Sequence, residues 1–176
     1  MITIKAMPRL ALAGALFIAS LSFSPSGYAA QADLDLIQSY VGNWRGRGTM
    51  TNASKGNETI VCRMEITRSS AEKIGFSGRC ALAGGNLSMA GTMAYIVAAN
   101  RYEAIITSNT EFTGTAIGKR RGSNVTFNLQ GRDKDGKISR VRAGFGLNEG
   151  KIVVEFEVIN ANGDKILANV PFDRRS

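Results

Sequence analysis

Histidine is missing from this chain of 176 residues, and only 2 cysteines are present. Without imidazole there is no Ser-His or Cys-His dyad, no histidine-bound zinc and no histidine-ligated haem. Two cysteines are too few for a four-cysteine zinc site or an iron–sulfur cluster of the usual kind. Long apolar runs are scarce too: after residue 30 none approaches the roughly 20 residues of a membrane-spanning helix. No Gly-rich phosphate loop leads into a helix, so nucleotide binding lacks its usual cradle. Asp133-Lys134-Asp135-Gly136 opens like a calcium loop, but no glutamate stands at its twelfth position. These gaps point away from an enzyme and from any cofactor or resident metal.

What is present begins with a leader. Residues 1–9 carry Lys5 and Arg9, and Leu10 to Phe23 is an uncharged, largely apolar run of 14 residues. Pro25 then ends the helix, and Ser26-Gly27-Tyr28-Ala29-Ala30 supplies small residues for cleavage. This three-part order is that of a secretory signal peptide. Cleavage after Ala29 sets Gly27 at the third position back, which suits the small-residue rule better than the Tyr28 that cleavage after Ala30 would put there. Residues 1–30 therefore read as a signal peptide and residues 31–176 as a single domain. The expected location is the periplasm of a Gram-negative type of bacterium, or the medium. Removing the leader takes two basic residues and no acid, so the net charge falls from +8 to +6.

Asp33 to Val41 is the one helical candidate, with Leu34, Ile37 and Val41 at helical spacing and Asp33 placed to cap or charge its start. From Asn43 onward, turns such as Gly84-Gly85-Asn86, Gly122-Ser123-Asn124 and Asn148-Glu149-Gly150 recur at short intervals. The segments between them predict an all-β chain, an antiparallel up-and-down β-barrel of about ten strands with a short N-terminal helix closing one end. A closed barrel is favoured over a two-layer sandwich because a sheet of that length curls and closure removes its edges.

One hairpin can be registered from the sequence. Ile60, Cys62, Met64 and Ile66 share a face of one segment, and Ile74, Phe76, Gly78, Cys80 and Leu82 share a face of the next. A turn about Ala71 sets Ile66 opposite Phe76, Met64 opposite Gly78, Cys62 opposite Cys80 and Ile60 opposite Leu82. The same register thus aligns both apolar faces and pairs the cysteines. A Cys62–Cys80 disulfide follows, and export would supply the oxidising compartment it needs.

The later strands alternate likewise, with Val125, Phe127 and Leu129 on one face and Ile152, Val154, Phe156 and Val158 on another. At the head of the first strand, Gly42-Asn43-Trp44 after a short helix resembles the Gly-x-Trp opening of the calycin barrels, the group of lipocalins, avidins and their bacterial relatives. The resemblance implies that Trp44 packs across the closed end with a basic residue of the last strand lying on it, Arg174 or Arg175. Trp44, Gly46, Gly48 and Met50 also share one face, where glycines let a strand coil. The chain ends directly after its last strand, unlike lipocalins with their C-terminal helix. In this it is more similar to the ten-stranded bacterial barrels of the nitrobindin kind, without their haem histidine.

The inward set Met89, Met93, Tyr95, Phe112, Phe127 and Phe156, with Trp44, makes the candidate ligand-binding surface, and Gly78, Gly91 and Gly114 on the same faces leave room. Glu155 and Glu157 alternate with apolar residues and read as an outer face rather than a catalytic pair. Lys119, Arg120 and Arg121, with Arg132, Lys134, Lys137, Arg140 and Arg142, form a basic surface whose possible partner is an anionic envelope component. Nucleic acid is not expected as a partner of an exported protein. The function expected is therefore that of an exported, non-enzymatic barrel holding a small apolar or amphipathic molecule. The alternative is an envelope protein acting by protein–protein contact through its hairpin loops, such as an inhibitor of a protease or lysozyme.

Overall fold

The computed structural model describes residues 26–54, 56–109, 113–132 and 137–175. Residues 1–25 of the expected leader, Phe112 and the turn at 133–136 lie outside them. One helix, α1 (Ser26–Ser39), precedes ten strands. In chain order these are β1 (Gly42–Asn52), β2 (Gly56–Arg68), β3 (Lys73–Leu82), β4 (Gly85–Ile96), β5 (Arg101–Ser108), β6 (Gly114–Arg121), β7 (Asn124–Arg132), β8 (Ile138–Asn148), β9 (Lys151–Ile159) and β10 (Lys165–Arg175). Each pairs antiparallel with its chain neighbours, and β10 returns to β1, so the sheet is a closed up-and-down barrel. Closure leaves no strand edge unpaired, which is how so strand-rich a chain avoids edge-to-edge association.

The β2–β3 register is the one read from the sequence, with Ile66 opposite Phe76, Met64 opposite Gly78 and Cys62 opposite Cys80. The two cysteines are joined as a disulfide, with both side chains facing the barrel interior. Such a bond fits a protein of an oxidising compartment outside the cytoplasm. It closes a loop with a sequence separation of 18. Breaking it with reductant, or with the Cys62→Ser, Cys80→Ser pair, should lower the unfolding free energy by about 3 kcal/mol. Urea titrations with and without reductant measure this; coincident midpoints would show that the bond contributes nothing.

The helix is longer than Asp33 to Val41, and it starts earlier. Tyr28-Ala29-Ala30-Gln31-Ala32 continues it backwards because these residues carry no stop signal and alanine is the best helix former. It ends before Gly42, whose φ of 146° a side chain would not favour. The buried stripe is accordingly Asp33, Leu36, Ile37 and Tyr40, while Leu34 and Val41 are only half-buried. Asp33 lies mid-helix on the apolar face and so is not a cap. With the helix running through Ala29 and Ala30, cleavage there would take its first turn and leave that stripe intact.

The seam between β1 and β10 is tightly coiled. Pairing is continuous from Asn43↔Arg175 to Gly46↔Phe172 and again from Thr49↔Asn169 to Asn52↔Ile166. In the gap, Pro171 has no N–H to give, and a Cβ on Gly48 would stand 2.0 Å from the Asn169 carbonyl oxygen. Only glycine fits that approach.

Candidate functional site

The helix seals one end of the barrel. Trp44 is 2% exposed, and its indole N–H donates to the Tyr40 carbonyl oxygen at 2.8 Å. The Arg174 guanidinium lies over the indole, 4.4 Å from the ring centroid, and donates to the carbonyls of Val41 at 2.6 Å and Ser39 at 2.9 Å. Of the two basic residues the resemblance offered, Arg174 faces Trp44 while Arg175 points outward. Arg174 thereby satisfies carbonyls at the helix end that would otherwise lack partners and adds a cation–π contact.

A polar triad fastens the middle of the helix to the barrel rim. The Tyr102 hydroxyl donates to the Asp33 carboxylate at 2.7 Å, and Arg120 pairs with the same oxygen at 3.1 Å. Arg120 therefore faces the sealed end rather than joining Lys119 and Arg121 on the outer surface. Tyr40 donates to the Phe145 carbonyl at 3.1 Å, and Tyr95 to the Asn100 side chain at 2.7 Å. Burial pushes the Tyr40 and Tyr102 hydroxyls far above the usual tyrosine range. The Asp33 carboxylate, by hydrogen bond and by charge, pushes Tyr102 further up. Tyr95 is also raised, first by burial and then by the negative charge of Asp33.

Depth along the barrel axis separates the candidate ligand residues. Trp44, Met93, Tyr95 and Phe127 are at most 3% exposed and belong to the packed core. Met89 and Phe156 face inward but stand toward the other end, where Leu82, Leu87 and Leu129 are likewise only half-buried. Ile60, Val141 and Val158 are buried even there. A lumen filled at the helix end and reached by solvent from the opposite mouth accounts for this gradient. Gly91 leaves no spare room: a Cβ on it would meet the Ile105 carbonyl oxygen at 2.0 Å. Gly78 and Gly114 are less confined: a Cβ on Gly78 would meet the Met89 side chain only at ordinary contact distance, and one on Gly114 would meet nothing within 4 Å.

The outer wall carries grooves between rows of outward side chains. One of about 900 Å³ crosses β1 to β5, and one of about 460 Å³ crosses β7 to β10 and β1 past Glu155 and Glu157. Glu155 and Glu157 are on the outer face, and Glu157 pairs with Lys165 at 3.1 Å. Arg140 and Arg142 are exposed on β8. No described helix is long and apolar enough to cross a membrane.

Two features escaped the sequence analysis. Asp33 could have been noticed as an acid on an apolar helical stripe, a position that calls for a buried partner. The arginines lining the larger groove, Arg45, Arg63 and Arg79, are scattered in sequence and meet only through strand register.

The sequence matches no known family and no curated protein. Solved structures do resemble the fold. Rv2717c from M. tuberculosis superposes with a TM-score of 0.59 at 14% identity, over 82% of this chain and 98% of that one. The S-type phycobiliprotein lyase CPES from Guillardia theta superposes with a TM-score of 0.55 at 11% identity, over 84% and 97% respectively. At such identities the likeness shows the fold alone, a closed antiparallel barrel.

Proposed function

We propose that this protein is an exported, non-enzymatic barrel that takes a small apolar or amphipathic molecule through the mouth opposite the helix. The observation that carries this reading is the burial gradient. Inward-facing Leu82, Leu87, Met89, Leu129 and Phe156 keep part of their surface in contact with solvent, whereas the aromatic residues at the helix end do not. Partly wet apolar surface inside a concave wall is where an apolar ligand gains most on binding. CPES, which shares this architecture, is a phycobiliprotein lyase. The strand number also brings it near the nitrobindin kind, but haem held by histidine is not among its ligands, because the chain has none. Export agrees with the leader pattern and with the disulfide.

Two measurements test the proposal. Native mass spectrometry of protein purified from its own host should show a bound mass that organic solvent removes. The neutral dye N-phenyl-1-naphthylamine should brighten on binding, and Met89→Glu should weaken that binding about tenfold or more by placing a charge in the lumen. Dye binding that Met89→Glu leaves unchanged would place the ligand elsewhere and overturn the proposal.

A further inference from the structure

The outer wall holds an arrangement that the fold alone does not account for. Arg45 stands directly opposite Arg63 across β1 and β2, and Arg63 directly opposite Arg79 across β2 and β3. Neighbouring strands are about 4.8 Å apart, so the arginines form a row with like charges side by side. Such pairs destabilise a sheet. All are exposed, and the ion pairs among the described residues are Arg101–Glu103, Arg120–Asp33, Lys151–Asp173 and Lys165–Glu157. None relieves the row. Asp173, the register partner of Arg45, is turned to Lys151 at 3.0 Å instead.

The row is one bank of the 900 Å³ groove and continues into Ser88 and Asn109. Asn109 is held in place there, its side-chain oxygen accepting the Ser88 backbone N–H at 2.8 Å. The opposite bank is mostly uncharged and polar, with Asn43, Ser77 and Thr107, and Arg175 stands at its end. Among the described residues, Glu65 is the one acid lining the groove.

We propose that this groove binds an acidic oligosaccharide across the outer face of β1 to β5. Arg45, Arg63 and Arg79 take its carboxylates or phosphates, and the polar bank hydrogen-bonds its hydroxyls. Guanidinium groups bind such oxyanions through paired N–H donors, and hydroxyl and amide side chains match sugar hydroxyls as donors and acceptors. Single-stranded nucleic acid fits less well, because no outward-facing residue of either bank is aromatic and stacking platforms are what hold its bases. A bilayer surface is too broad to enter between two banks of side chains. The groove lies outside the barrel, so this proposal stands apart from ligand binding in the lumen.

Fluorescence anisotropy with labelled tetragalacturonic acid tests it at low salt. The wild-type protein should bind the acid, bind its methyl ester far more weakly, and release the acid as salt rises. Arg63→Gln, at the centre of the row, should weaken binding about tenfold. Lys73→Gln, which removes the same charge from an exposed position outside the groove, should change it less than about twofold. Arg63→Gln should melt no lower than wild type, since it relieves a like-charge contact, and Arg79→Gln repeats the test at the row's end. No binding of the acid overturns the proposal, as does equal weakening by Arg63→Gln and Lys73→Gln. Equal or tighter binding of a single-stranded DNA oligonucleotide, or of phosphatidylglycerol vesicles, overturns the assignment to a glycan.

Discussion

Replacing Trp44 with alanine should cost about 3–5 kcal/mol of stability, the range for removing a large aromatic from a packed core. Three losses combine at this position. The indole leaves a cavity among Ile37, Tyr40 and Phe172, all at most 4% exposed; the Tyr40 carbonyl loses its donor; and Arg174 loses the ring beneath its guanidinium. Trp44→Phe keeps a ring for Arg174 and most of the volume, so it should cost markedly less. The variants are compared by far-UV circular dichroism in urea, because Trp44 is the only tryptophan and its fluorescence disappears with it. Arg174→Ala should reproduce part of the same loss and couple to Trp44→Ala in a double-mutant cycle. Additive effects would show that the stacked pair is not a unit, and a Trp44→Ala midpoint near wild type would show that the helix seal does not depend on the indole.

The parts of the fold that could be read in advance are those where independent patterns met. Alternation by itself permits any even shift between β2 and β3, but the two apolar faces and the cysteines agree on a single register, and that register is the one formed. The same alternation correctly turned Met89, Met93, Tyr95, Phe127 and Phe156 inward. It carried no information on depth along the axis, because depth depends on strand tilt and on which end the helix seals. Met93 and Tyr95 therefore fall in the core while Met89, on the same face of β4, stands nearer the mouth. The helix start is marked by Ser26 after Pro25, a signal hidden by its place in the cleavage region of the leader pattern, and the alanine-rich approach to Asp33 carries no break. Arg63 opposite Arg79 follows from the hairpin already registered, whereas adding Arg45 required the β1–β2 pairing, which no cysteine or apolar coincidence marks.

Alkali should strongly destabilise this protein above pH 10, because burial raises the hydroxyl pKa values of Tyr40 and Tyr102 far above the usual tyrosine range and raises that of Tyr95 as well. In the unfolded chain each titrates near pH 10. A group whose folded pKa lies above its unfolded value contributes its full stability below the unfolded pKa and loses it as pH climbs toward the folded one. Above pH 10 the unfolded chain gains phenolates at Tyr40 and Tyr102 that the fold cannot accommodate. Each costs roughly 1.4 kcal/mol by pH 11, about 3 kcal/mol for the pair, and Tyr95 acts in the same direction. That is a large share of the 5–15 kcal/mol by which domains are typically stable. Unfolding free energies of the chain from Ala30 onward, which lacks the exposed Tyr28, measured in urea from pH 8 to pH 11 should fall along this curve, with tyrosinate absorbance rising only as the protein unfolds. Tyr40→Phe removes one of these two large contributions and should reduce the slope by up to about half, at the separate cost of its hydrogen bond to the Phe145 carbonyl. Stability that stays level to pH 11, or tyrosinate that forms while the barrel remains folded, would mean that the hydroxyls at the sealed end are open to water.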